Sequence, residues 1–172
     1  MPDPAYWMKG RTEKQFWIDL ALGALFEMLE LDLLECSDKE TTACKEHWLK
    51  DDPAHGHCAA FALLVQDIFG GELLRASLEG LPKYAHMRSH YWNLLPKRGS
   101  LEPRKTPFGE EVVWVDIEVD LSASQFEGRD RNLVPAGEVR TREYVLSNPD
   151  TARRYELLKK RLEERNPDLW KK

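Results

Sequence analysis

Three residue types at three places in this chain could together carry out nucleophilic catalysis: Cys58, His90 and Asp120. Cys58 opens the apolar run CAAFALLVQDIF, Cys58 to Phe69, whose length and composition predict a buried helix. Gly70-Gly71 then stops it, because glycine takes the left-handed conformation without steric penalty. A cysteine in a first helical turn sits where unpaired N–H groups and the positive dipole end favour the thiolate, which is the nucleophile. Gly56 lets the backbone come close to a partner or substrate there. A base must hold a proton near the sulfur, and His90 opens a strand that can lie beside that helix. A third group must orient the imidazole and stabilise its charged form, and Asp120 closes the adjacent strand. Asp116 and Glu118 share its strand face and compete with it for that role.

These residues need elements to position them. Glu13 to Cys36 reads as a long helix, with Phe16, Leu20, Leu25, Met28 and Leu29 expected as one buried stripe. A polar segment, Ser37 to His57, leads into the cysteine-bearing helix, with a turn at Asp52-Pro53. Glu72 to Leu78 and His90 to Leu95 read as strands, separated by a loop over Leu81 to Arg88. Glu111 to Leu121 alternates cleanly: Val113, Val115, Ile117, Val119 and Leu121 on one face, Trp114, Asp116, Glu118 and Asp120 on the other. Pro96 to Gly109, proline-rich and basic, reads as a long exposed hairpin loop. Ser122 to Leu146 has no clear period. A closing helix starts near Ser147-Asn148-Pro149-Asp150 and runs to about Arg165. The expectation is one α+β domain over 1–172: helices at about 13–36, 58–69 and 149–165 and an antiparallel β-meander at about 72–121.

Composition bounds the function. With 42% apolar and 32% charged residues among 172, the chain suits one well-packed core. A net charge of −5 argues against nucleic acid as a partner. The acidic stretch Glu27 to Asp52 and the basic closing helix read as solvated faces. Phe16 to Leu34 is interrupted by Asp19, Glu27, Glu30 and Asp32, so it lacks the uninterrupted apolar length of a membrane span. Three cysteines and no apolar leader fit free thiols and a cytoplasmic setting.

Several co-linear blocks carry a family resemblance. They are Cys36-Ser37 with Glu40-Thr41-Thr42, Trp48, Asp52-Pro53, Gly56-His57-Cys58, Gln66-Asp67 with Gly70-Gly71-Glu72, His90-Tyr91-Trp92-Asn93, and Asp120-Leu121-Ser122 with Gln125-Phe126. This set resembles the YunG-like family of small bacterial proteins, which carries G-Q-C, H-Y-W-N and D-L-T-x-x-Q-F blocks in the same order. A later Arg154-Tyr155-x-Leu157-Leu158 segment matches its C-terminal helix. The order cysteine on a helix, histidine on a strand, aspartate on the next strand is also that of papain-like, NlpC/P60-like and transglutaminase-like enzymes. The resemblance therefore implies a papain-like core with Cys58, His90 and Asp120 as a catalytic triad, and it asks for no metal or cofactor. It places His57, Trp92, Asn93 and Gln125 as candidates for oxyanion or substrate binding. Two departures stand out: His57 replaces the family's glutamine, and the hairpin between His90 and Asp120 is longer.

Each residue also has a plainer role open to it. Cysteine is often buried as a small hydrophobe, Asp120 can cap the turn into Ser122, and Trp92 can simply pack. Cys44-x2-His47 and His55-x-His57-Cys58 also offer zinc ligands, though at spacings unlike a standard finger. The expected function is cysteine-dependent acyl transfer on a peptide, amide or thioester, with Cys58 as nucleophile and His90 as base. The alternatives are a non-catalytic binding module for a peptide or partner, and a zinc protein.

Overall fold

The computed structural model describes residues 13–100, 104–106, 109–111, 114–126 and 134–170. The polar segment before residue 13, the burial of Phe16 and the conformation of Val113 lie outside what it describes. Helix α1 spans Glu13–Cys36 and helix α2 spans Cys58–Phe69. Strands β1 (Glu72–Ser77) and β2 (Ser89–Ser100) follow, then the short strands β3 (Arg104–Thr106) and β4 (Gly109–Glu111). Strand β5 (Trp114–Val119), strand β6 (Glu138–Arg140), helix α3 (Arg142–Leu146) and helix α4 (Pro149–Arg165) complete the order. The architecture is α+β: among the described residues, four α-helices and an antiparallel sheet in the order β5-β2-β1-β6. Among the described residues, strands β3 and β4 form a separate two-stranded sheet.

Helix α2 is the centre of the core because its sequence is apolar on every side from Ala59 to Val65, and all seven of those residues are buried. One side meets Tyr155, Leu158 and Leu162 of α4, and the other meets Leu73, Leu95 and Val119 of the sheet. Ala59, Ala60 and Ala62 leave the backbone room for this two-sided packing. The helix ends at Gly70, whose N–H bonds to the Gln66 carbonyl.

The expected stripe on α1 is corrected. Leu20 is 51% exposed, Leu25 46% and Met28 61%, while Leu29, Leu33 and Cys36 are buried. Apolar residues stand all around this helix, so its own period does not choose a face. The choice falls to the core built around α2 and α4, which covers the C-terminal half. Among the described residues, no helix is long and apolar enough to cross a membrane.

Two further segments differ from the sequence expectation. Pro96 to Gly109 is not a plain loop: β2 runs through Pro96 to Ser100, and β3 and β4 form a small ladder of their own. Proline cannot donate to a ladder, and Pro96 sits where the β2–β5 register shifts, between Leu95 and Gly99. The stretch after Ser122 contributes an edge strand, β6, antiparallel to β1. Such a short strand shows no period of two.

Polar side chains lock the layers together. Tyr155 on α4 donates to Asp67 Oδ2 of α2 at 2.6 Å, and Arg142 on α3 pairs with Asp67 Oδ1 at 2.9 Å. Arg142 also donates to Gln66 Oε1, and the Gln66 amide Nε2 bonds the Gly71 carbonyl. Burial first, and then the Asp67 carboxylate, push the Tyr155 hydroxyl well above its usual range.

Gly71 sets how close the end of α2 comes to the sheet. At φ 85°, a Cβ there would lie 2.5 Å from the Leu94 carbonyl oxygen and 2.6 Å from Leu95 Cδ2. Gly71→Ala is expected to cost at least ~2 kcal/mol of unfolding free energy, from backbone strain and overpacking together. Urea denaturation measures it, and a loss below about 0.5 kcal/mol, the range of an ordinary surface change, contradicts this role.

Candidate active site

Sheet register brings the key side chains together. Val119, the last residue of β5, lies opposite Asn93 of β2, so Asp120 emerges diagonally across from His90. There His90 Nε2 donates to Asp120 Oδ2 at 2.7 Å, with the two side chains 0% and 3% exposed. The other carboxylate oxygen, Oδ1, accepts from the Ser122 N–H at 3.0 Å and the Ser122 hydroxyl at 2.9 Å. Asp120 therefore caps the turn and holds the imidazole at once, and the turn fixes its carboxylate. Its competitors are placed elsewhere: Asp116 and Glu118 are exposed, and Glu118 accepts from Trp92 Nε1 at 2.9 Å.

Aromatic rings enclose His90. Trp92 stacks on it with centroids 5.6 Å apart, and Phe126 meets it edge-on at 4.7 Å. Such a site disfavours the charged ring. Burial lowers its proton affinity, but the hydrogen bond to Asp120 and then the Cys58 thiol outweigh that, and His90 is raised to about 9. Cys58 approaches this ring from the start of α2. Half-buried at the first position of α2, its Sγ lies 3.9 Å from the carbonyl oxygen of Ser89, the residue before His90. The N-cap residue of α2, His57, makes no side-chain capping bond and no acidic residue stands in the first turn, so the orphan N–H groups there can serve an anion.

Gln125 completes the site. Its Nε2 lies 3.1 Å from His90 Nδ1, and its Oε1 is buried with no hydrogen-bond partner among the described residues. In this arrangement the amide donates to a neutral ring. Turning the amide over sets Oε1 against an Nδ1–H, so the same side chain can serve the imidazolium. Gln125 and Cys58 both line a cleft of about 550 Å³, shared with Arg75, Tyr91, Tyr144 and Arg154.

The other expected binding residues lie elsewhere. His57 as an oxyanion donor is corrected: its ring is fully buried, with Nε2 2.8 Å from Thr41 Oγ1 and Nδ1 3.1 Å from the His55 carbonyl. Burial, the largest influence, lowers His57 to about 4, so it is neutral, donating from Nδ1 and accepting the Thr41 hydroxyl at Nε2. Trp92 is 2% exposed and packs with Leu74 and Ala76, so it shields His90 rather than facing the cleft. Asn93 faces the opposite side of the sheet, donating to the Ala62 carbonyl of α2 at 2.9 Å. Gly56, at φ 76°, lies close to the chain itself, since a Cβ there would meet Thr42 Oγ1 and the Cys44 backbone nitrogen. His55 stacks with His86 and adjoins His47. Among the described residues, no group of three or more His, Cys, Asp or Glu is placed to hold a metal ion.

Sequence reasoning misses Arg75 and Tyr91, cross-strand partners on β1 and β2 that line the cleft. The available signal is a lone arginine inside the strand ELLRAS. It also misses Arg154 as a positioning residue: that side chain is buried and reaches Asp150, Thr151 and the Gly56 carbonyl.

A family model described as YunG protein matches residues 26–113, slightly more than half of the chain. No curated protein and no solved structure matches it.

The buried neutral His57 has a measurable consequence. Its folded pKa, about 4, lies below the unfolded value, so the unfolded chain takes up a proton first as pH falls. Stability from this residue is present above an unfolded pKa of ~6.5 and is lost on acidification toward the folded value, by roughly 3 kcal/mol. In urea titrations His57→Gln should flatten that acid loss relative to wild type. Parallel pH profiles for the two proteins would refute a buried neutral ring.

Proposed function

The chain belongs to the YunG family, and we propose that it is a cysteine-dependent acyl-transfer enzyme with a papain-like core. The observation that carries this reading is the buried 2.7 Å bond from His90 Nε2 to Asp120, with the Cys58 sulfur 3.9 Å from the carbonyl oxygen of Ser89, the residue before His90. Bonding at Nε2 leaves Nδ1 as the nitrogen for Cys58 and Gln125. A thiol at a helix start, an imidazole on a strand and a carboxylate behind it form the working set of papain-like and transglutaminase-like enzymes.

The steps follow from those positions. The Cys58 thiolate is paired with the His90 imidazolium, and the sulfur attacks the carbonyl carbon of an amide or thioester. The carbonyl oxygen, now negative, receives the Cys58 N–H and an amide N–H of Gln125, the role that His57 does not fill. As the C–N or C–S bond breaks, His90 Nδ1–H gives its proton to the leaving amine or thiol, and an S-acyl group remains on Cys58. Water or an amine then attacks that thioester while His90 takes its proton. Collapse returns the sulfur as thiolate beside a charged imidazolium. Asp120 keeps Nε2–H pointed at itself throughout, so the working proton is always at Nδ1. Trp92 and Phe126 keep water away from the ring, which strengthens each of these charge interactions.

The test is alkylation of Cys58 by iodoacetamide, followed by peptide mass analysis. Burial raises the thiols of Cys36 and Cys44, so Cys58 should label first. Below neutral pH, His90→Ala should slow labelling of Cys58 by ~10-fold or more, because the charge that stabilises the thiolate is gone. Incubation with a simple acetyl thioester should add an acetyl group to Cys58 that water then removes. Equal labelling in the two proteins, together with no acyl-Cys58, contradicts the enzymatic reading.

A further inference from the structure

The cleft beside Cys58 is positive although the chain as a whole is negative. Its lining includes Arg75 and Arg154 but no aspartate or glutamate, in a protein of net charge −5. The two arginines differ. Arg154 spends its charge inside the fold, 2.8 Å from Asp150 Oδ2 and bonded to Thr151. Arg75 has no carboxylate within ion-pair range among the described residues. Its cross-strand neighbour on β6, Glu138, gives its carboxylate to Arg140. On the other side Arg75 lies opposite Tyr91 in the β1–β2 ladder, near enough for its charge to act on the Tyr91 hydroxyl.

A half-buried guanidinium without a counter-charge is costly to keep unless something supplies one. Tyr91, Arg75 and Cys58 share the wall of one cleft, with Tyr91 opposite Arg75 in the β1–β2 ladder. The planar fork of arginine matches a carboxylate through two parallel hydrogen bonds. A phosphate dianion would call for a second uncommitted cation, and Arg154 is already paired.

We propose that Arg75, with the Tyr91 hydroxyl beside it, binds a carboxylate on the substrate, so that the acyl donor attacked by Cys58 is an anionic amide or thioester. This rests on the reading of Cys58 as the nucleophile. Arg75 touches the substrate's carboxylate rather than its reacting carbonyl, and it selects among acyl donors by charge.

Paired acidic and neutral reagents test it on the full chain: iodoacetate against iodoacetamide, and maleimidobutyrate against N-ethylmaleimide. The readout is the acid-to-neutral rate ratio at Cys58, normalised to the same ratio for glutathione, so that changes in the thiol itself cancel. In the wild type at least one pair should show a ratio of ~10 or more, as a charge-assisted contact provides. Arg75→Gln should bring that ratio close to the glutathione value, and Arg75→Lys should keep part of it. Ratios equal in wild type and Arg75→Gln, with Cys58 still reactive toward the neutral reagents, overturn the carboxylate site alone. A Cys58 that reacts with the neutral reagents no faster than glutathione overturns the nucleophile reading instead.

Discussion

An imidazole buried between two aromatic rings is ordinarily neutral, because the charged ring loses its hydration. At His90 the Asp120 carboxylate, itself buried, reverses that preference. Much of the surrounding structure serves to hold those two groups in register. The β2–β5 pairing sets their separation, and the turn at Ser122 fixes the carboxylate. The 3₁₀ turn Ala123–Gln125 then returns Gln125 to the far ring nitrogen. Without Asp120, the ring would have little reason to be charged.

His57 shows the same physics with the opposite outcome. Both histidines are fully buried, yet His57 meets a carbonyl and a hydroxyl while His90 meets a carboxylate. The first is held neutral and acts as a structural post beneath the start of α2. Around it, Thr41 and Thr42 tie the preceding loop to His57 and His55, and Arg154 of α4 reaches the Gly56 carbonyl. Asp67 plays the same part at the other end of the helix, through Tyr155 and Arg142. The helix carrying Cys58 is thus pinned at both ends by polar contacts and along its length by apolar ones.

What the sequence discloses follows the range of the interactions involved. Helix α2 is legible because an apolar run and its glycine stop are local signals, and β5 because alternation over six residues has few other readings. The face of α1 is not, since Leu20, Leu25, Met28 and Leu29 offer more than one stripe and only tertiary contact selects Leu29 and Leu33. The place of His57 is hidden because its partner, Thr41, is sixteen residues away and no spacing rule joins them. Asp120 cannot be separated from Asp116 and Glu118 by strand pattern, because all three share a face; only the turn at Ser122 distinguishes it. Arg75 stands in plain view, but that no carboxylate among the described residues pairs with it is a property of the folded chain.

The most direct measurement is the nitrogen NMR titration of the His90 imidazole in the wild type and in Cys58→Ser. The account predicts that at neutral pH the wild-type ring carries protons on both nitrogens, and that it gives one up at lower pH once the thiol is replaced. A His90 ring that is neutral at that pH in the wild type, or whose titration is the same in both proteins, would contradict it.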